Sequence, residues 1–598
     1  MNDNEYLQSE REIKGYVDIQ YSDIDNTIPI TASLTYPTQA PISQLINSEN
    51  TKISNNYASL EEDYFLLDGS FVLPYKPNDE TEYYNKNSGY ITNQIVSDLP
   101  NEIPINISSI SKEVYGITLY FKDNIPRTIN LTSNNDLTYN ITDNMKDIIS
   151  IKFDTKQTIT SINMTFSDFE YQNRRFRLSL IDFGLSDILK DDTLINFKIT
   201  ENIGDLNLEF PSNQLTINLY DTNDMFDVTN PSGYAEFLNE GLLIKAKPYI
   251  GILTENNGIK YDDSQATFYL QSWSSNKNQI TLNCVDYLEK MKNIKSTDRV
   301  TPMILNENNC NTLDVSLSNI TGINIDTFNN FIDNQNYLND DYVETSNPFE
   351  YLQQLMIWLW GYLYNENNKL IINKRENNVL YDNILTLQTN LLNEPKYTLR
   401  EKIKSISIIQ NKGYYVNNPK TWQTADTIYL TNSERAYNNQ PEIVELNTYH
   451  DLHVEASGIS YDIGIFKTFN ASDYCPAVIS PATNITFYDL GEATFSTSTF
   501  IKQFNDSGKE ITIDNKFFAT TSLSNVYDLD TICESICDKI NNENKTYNVQ
   551  IQYTGDPNIK PNMIVPIETQ YGEKQVKVLK HTLTFNGGLT GTIEGVGD

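Results

Sequence analysis

The chain has 598 residues and a formal net charge of −35, with 44 Lys plus Arg against 79 Asp plus Glu. That length is too great for a single core, and that charge excludes a broad nucleic-acid-binding surface, which needs Lys and Arg to displace counterions from phosphates. Hydrophobic residues make up 39%, with 39 Tyr and 25 Phe, so folded cores are expected, and mostly from strands, which Tyr, Ile, Val, Phe and Thr favour. The acidity serves solubility, and it also suits a wall past which DNA slides without sticking.

The first residues, MNDNEYLQSEREIKG, show no basic region followed by an apolar run, so no signal peptide is expected. Residues 1–182 carry alternating strands split by turns, such as GITLYF (116–121), SINMTF (161–166) and the Phe176, Leu178, Leu180 alternation. This predicts an N-terminal β-sandwich. Residues 183–300 are also mainly strands, among them DLNLEF (205–210) and QLTINLY (214–220). QITLNCVDYLEKM (279–291) should pass from strand into a short helix.

Residues 301–400 contain the clearest helix, NPFEYLQQLMIWLWG, with Asn347 as N-cap, Pro348 in the first turn and Gly361 as terminator. Its apolar run, LMIWLWGYLY (355–364), is about half of what a membrane span needs. YLYNENNKLIINK (362–374) reads as a hairpin. Residues 401–598 open with KIKSISIIQ (402–410) and hold a second helix in which Leu529, Ile532, Cys533, Ile536, Cys537 and Ile540 share one face. They close on strands YNVQIQY, MIVPIET and KQVKVLKHTLTF and a Gly-rich end. The fold class expected is therefore mainly β and multidomain, α+β in part.

Candidate chemistry is sparse. His450 and His453 flank Asp451, but a metal site needs three or four ligands, and a strand edge or polar loop is the simpler reading. Asp221–Asp227 has the look of a calcium loop, yet Phe226 stands where an EF-hand requires Gly, so an Asx-rich turn is expected. The odd number of cysteines, five, with no CxxC, suits a reduced, cytosol-made protein, and Cys533 and Cys537 read as buried hydrophobes. Trp358, Trp360, Tyr362 and Tyr364 could stack on sugars, but packing of a helix end into its core is simpler. Arg174, Arg175 and Arg177 are three of only nine Arg. They could receive a carboxylate or a phosphorylated sugar, although pairing with surrounding acids explains them more simply. No catalytic residue, metal ligand or cofactor site is nominated.

Four segments resemble one family. GDPNIKPNMIVPIETQYGEKQVKVLKHTLTFNGGLTGTIEGVGD (555–598) is similar to the C-terminal segment of phage tail hub and tail-tip proteins, and NPFEYLQQLMIWLWGYLYNENNKLIINKRE (347–376) to their helix–hairpin. Residues 205–252 resemble the first hub β-domain, and stretches 56–71, 115–131 and 174–184 resemble the sandwich preceding the hub in clostridial-type phages, prophages and phage-tail-like particles.

The resemblance implies a sandwich over 1–182, hub β-domains at 183–300 and 401–598 and a helix–hairpin hub domain at 301–400. It implies a structural, non-enzymatic virion protein, a homotrimeric baseplate or tail-tip hub. Its partners would be the tail tube, spike or tip, tape-measure and distal tail proteins, with no cofactor, no sequence-specific nucleic-acid binding and no membrane insertion. Some members carry a peptidoglycan hydrolase after the hub, and none is expected beyond Asp598. The alternative is an adsorption protein whose sandwich binds host saccharide, and a third reading is a cell-wall glycosidase. Five of the 24 glycines fall in the last twelve residues. Gly587 and Gly588 are therefore expected to let backbones approach closely at a crowded assembly junction.

Overall fold

The computed structural model describes residues 13–21, the greater part of 90–292 and of 360–415, and 485–520 and 529–598. It adds short strand segments at 31–34, 56–57, 71–72, 324–326, 420–422, 450–456 and 459–466, and helical positions 349, 353 and 356. The described chain is mainly β, in several sheets, with few helices.

The largest unit is a 13-stranded sheet. Its path runs Ser186–Leu189, Ile13–Gln20, Lys245–Leu253, Phe268–Asn276, Gln279–Val285, Gln214–Tyr220, Leu194–Asn202, Gly572–Phe585, Leu589–Gly597, Tyr547–Tyr553 and Lys396–Leu399. Period-2 patterning explains these strands. In Gln214–Tyr220, Leu215, Ile217 and Leu219 are buried while Thr216 and Asn218 between them are half-buried. The sheet curls around one core, because Val17 and Ile19 of the first strand share a hydrophobic cluster with Leu583 and Phe585 near the chain end. At the join, the Phe585 ring lies over Gly15, where a Cβ would stand 2.8 Å from ring carbons.

Strand Gly572–Phe585 belongs to two cores. Its second half pairs with Leu194–Asn202, and its first half pairs with Ile564–Thr569. Around that first half lies a second cluster, formed by Val549, Ile551, Val565, Ile567, Val576 and Ile593. Residues 378–400 strap across it. Leu380 and Leu385 bridge to Ile564 and Ile567, Leu391 bridges to Tyr553, and Lys396–Leu399 pairs with Tyr547–Tyr553.

The N-terminal unit is a seven-stranded sheet built on Ile103–Phe121 and Ile148–Phe169. Register shifts between Ser108 and Lys112 and between Val114 and Gly116 mark irregularities in these long strands. Ile105 and Ile107, before these shifts, enclose the same core as Ile117 and Leu119 after them. The described strands of this unit thus share one core within one continuous sheet. A third, six-stranded sheet joins Ile403–Tyr415, Ile485–Gln503 and Lys509–Thr520 with shorter strands.

Domain limits drawn along the sequence do not follow these sheets. Ile13–Gln20 lies in the large sheet rather than with the sandwich, since Val17 and Ile19, both 0% exposed, face the large sheet's core. Residues 401–598 divide between two sheets. The strand expected at 205–210 does not begin at its first two positions, and 207–210 lie outside the described residues. Gly361 is not a helix terminator, since Trp360 is already in a turn. Trp360 takes φ +52, the left-handed cap conformation, and Gly361 already begins strand Gly361–Glu366.

Candidate assembly site

The glycine-rich ending forms the hairpin Gly572–Phe585/Leu589–Gly597. Gly587 sits in its turn at φ +69, and Asn586 N–H donates to the Gly588 carbonyl at 2.9 Å. A Cβ on Gly587 or Gly588 would meet nothing within 4 Å. Within this chain, close backbone approach is found at Gly591 and Gly595. A Cβ on Gly591 would stand 2.1 Å from the Tyr553 ring, and one on Gly595 2.3 Å from the Lys577 carbonyl oxygen. The reason is register, since a turn projects beyond the sheet while Gly591 faces Tyr553 directly across the ladder.

Lying flat over Gly591, Tyr553 carries its hydroxyl into a buried polar chain. The hydroxyl is 2.8 Å from His581 Nε2 and receives the Asp556 N–H at 3.0 Å. The Asp556 carboxylate accepts from the Tyr381 hydroxyl and from Asn558 N–H. This fixes the Gly555–Asp556–Pro557 turn, with Gly555 at φ +85. Beyond the ring, His581 Nδ1 is 4.0 Å from Glu201, whose carboxylate binds Lys560 Nζ at 3.0 Å. Burial drives His581 down to about 3, and Lys560 adds to the shift. A histidine that is 1% exposed and neutral in this way cannot serve a solvent-borne substrate as a base. It is a fixed hydrogen-bonding strut.

A second constellation ties four distant segments together. Arg375 is fully buried and donates to the Ile203 carbonyl at 2.7 Å, while its guanidinium lies 5.4 Å from the Trp360 ring centroid. Glu543, at the end of helix Leu529–Glu543, accepts Lys577 Nζ at 2.5 Å and faces Arg375 at 3.5 Å. Nearby, Arg400 Nη2 donates to both Asp205 carboxylate oxygens at 2.9 and 3.0 Å, and its Nη1 donates to Asn548 at 2.8 Å. Sequence reading missed these residues because all their hydrogen-bonding and ion-pair partners named here lie 34 to 202 positions apart. The one available signal was the scarcity of arginine.

The residues singled out from sequence fall elsewhere. Arg174, Arg175 and Arg177 stand at the start of strand Arg177–Asp182 in the N-terminal sheet, far along the chain from Gly587. The Arg174 guanidinium stacks over the Tyr171 ring at 4.2 Å, and Asn124 pins that loop through Tyr171 and Arg174. His450 and His453 lie on an inner strand, His450–Ala456, between Ile459–Phe466 and Ile485–Gln503, and their side chains are outside the described residues. Asp221 accepts the Met225 and Phe226 N–H groups at 2.8 Å, four and five residues on, and the Asx turn of the stretch is at Asp227, whose carboxylate accepts the Thr229 N–H at 2.7 Å. Cys533 and Cys537 are buried on the apolar helix face. Trp360 and Tyr362 are buried, as core packing requires, and Trp358 lies outside the described residues. Among the described residues no group of three or more His, Cys, Asp or Glu could hold a metal ion, and no helix is long and apolar enough to cross a membrane.

No protein-family model matches the sequence, and no curated protein does. Among solved structures, the chain is similar to the 43 kDa tail protein of prophage MuSo2 from Shewanella oneidensis. That match has 11% identity and a TM-score of 0.34 over 69% of this chain and 95% of that one. A tail protein from Neisseria meningitidis MC58 matches at 7% identity and TM-score 0.35, over 68% and 93%. Prophage tail protein gp18 from Listeria monocytogenes EGD-e matches at 10% identity and TM-score 0.31, over 69% and 91%.

Proposed function

We propose that this chain is a structural tail hub, a ring-forming adaptor between a phage-type tail tube and its tip that forms part of a conduit for DNA. The observation that carries the reading is the continuous 13-stranded sheet, in which the first strand, the 186–285 strands and the C-terminal strands form one body. A ring subunit under mechanical load needs strands from distant parts of the chain hydrogen-bonded into one sheet more than it needs a cleft. The net charge of −35 supports passage of DNA without adhesion. The four-segment sequence resemblance points the same way. A homotrimer would have three times 68.6 kDa, 205.8 kDa. No catalysis is assigned to the chain, and incubation with purified peptidoglycan should release nothing.

The deciding experiment is antibody-gold labelling of purified tail particles from the producing cell. Label at the distal tip supports the hub. Label confined to peripheral fibres would replace it with the adsorption reading, and particles without label would sink both. Gly587 and Gly588 remain proposed assembly positions. Replacement of Gly588 by Val should block tail assembly with β content intact, whereas Val at Gly587, at φ +69, would also strain the turn, and normal assembly of the Gly588 variant would remove the pair from the interface.

A further inference from the structure

The strap, residues 378–400, places apolar side chains on both of its faces, the outer ones among polar residues such as Asp382, Gln388 and Asn393. Inward, Tyr381, Leu385 and Leu391 complete the C-terminal core. Outward, Val379 is 57% exposed, Leu380 54%, Ile384 45%, Leu387 50%, Leu392 52% and Leu399 72%. Tyr397, on the same strand as Leu399, packs edge-on against the half-exposed Tyr547. The strap thus holds seven of the fourteen large hydrophobic side chains exposed among the described residues. Scattered exposed apolar residues need no explanation, but a concentrated strip marks a contact surface. Strand Lys396–Leu399 also ends the large sheet. Among the described residues it has a neighbour on one side only, Tyr547–Tyr553, so its outer edge is open to pairing.

We infer that the strap is the surface through which copies of this chain associate. Three observations favour a second copy as the occupant. First, the strap exposes few charges, only Asp382, Glu394 and Lys396, since Arg400 is buried and paired with Asp205. Two copies can meet here with little charge to desolvate, as the charge-depleted core of a subunit interface requires. Second, contacts between identical subunits are the apolar, charge-depleted class, whereas transient contacts between different proteins resemble ordinary surface. Third, at about 150–200 Å² per large side chain, the quoted exposures leave on the order of 600 Å² of apolar surface. That approaches the roughly 800 Å² each partner gives a standard interface. The inference deepens the hub reading and rests on it for the number of copies in the ring.

Light scattering of the full-length protein across a concentration range tests it, alongside the double variant Leu392→Asp, Leu399→Lys. Both positions point outward, so the variant should keep its circular dichroism and melting temperature. Wild type should be oligomeric, and the variant's dissociation constant should rise at least about 100-fold. Hydrogen exchange of wild type, which needs no variant, should show amides of 378–400 gaining protection as concentration rises. A wild type that stays monomeric, or a folded variant that associates like wild type, overturns the inference, the former by assigning the strap to a different molecule. Tip labelling keeps the two ideas apart. Label at the tip with an unaffected variant defeats the strap alone, while dissociation of the variant without tip label defeats the hub alone.

Discussion

The large sheet meets its neighbours through two unlike seams. At the N-terminal seam the groups are mostly hydroxyls. Tyr120 reaches Asp182 at 2.9 Å and Ser186 at 2.5 Å, and Thr118 receives Ser186 N–H at 3.0 Å and contacts Ser150 at 2.9 Å. Tyr16, Leu180 and Ile188 pack around Tyr120, and Lys152 reaches across to the Gly233 carbonyl and to Glu236. At the C-terminal seam the groups are buried charges, with one carboxylate, Glu543, answering both Arg375 and Lys577. A hydroxyl network loses one bond when one member is removed. A buried ion network loses its compensation, because desolvated charge is left behind. The seams should therefore fail by very different amounts.

The largest effect expected is at the C-terminal seam. Glu543→Ala leaves Arg375 and Lys577 buried without their carboxylate and should cost about 3–5 kcal/mol, read by denaturant unfolding. A loss under 1 kcal/mol would show that water reaches the seam. Next, Gly591→Val must move the Tyr553 ring off the strand, and should cost about 3 kcal/mol as an overpacked site. Gly591→Val paired with Tyr553→Ala should recover part of that loss, and no recovery would mean that the clash is elsewhere.

The third prediction concerns acid. His581 titrates at about 3 in the fold, against about 6.5 when unfolded. Its contribution is complete above pH 6.5 and is lost as pH falls toward 3, because the unfolded chain binds the proton first. By pH 4.5 the loss should be on the order of 3 kcal/mol, taken as the difference between wild type and His581→Gln. Asp286, raised to about 7, and Asp187, raised to about 6, both mainly by burial, act in the opposite sense. They gain stability as pH falls below those values, so the variant comparison is needed to isolate the histidine. Identical pH profiles for the two proteins would remove His581 from the acid response.

At the N-terminal seam, Tyr120→Phe should cost about 1–2 kcal/mol, and a loss equal to that of Glu543→Ala would erase the contrast between the seams. Smallest is Gly588→Ala, expected within about 0.5 kcal/mol because its Cβ would enter open space. A large stability loss there would mean that the turn is already covered in the isolated protein.

Much of the local structure was legible because it depends on neighbours two to four residues apart. Period-2 patterning found Gln214–Tyr220 and Tyr547–Tyr553 at their observed limits. Helical spacing found the buried face of Leu529–Glu543 through Cys533, Ile536, Cys537 and Ile540. The strand-to-helix passage at 279–292 was also readable. The site was not. Within the chain, a glycine's need for space is set by what lies across the ladder, and Tyr553 lies opposite Gly591.

By itself, then, the sequence determined that the chain is acidic, mainly β and multidomain, and where most strands and one long helix lie. Composition and short-range periodicity are properties of the chain that no partner strand can alter. The tertiary structure decided that Ile13–Gln20 joins strands from the far end of the chain in one sheet. It also decided which carboxylate answers Arg375, and that the strap shows apolar side chains to solvent. Those outcomes depend on residues hundreds of positions apart meeting in space, and pairing at that range leaves no periodic trace in the chain.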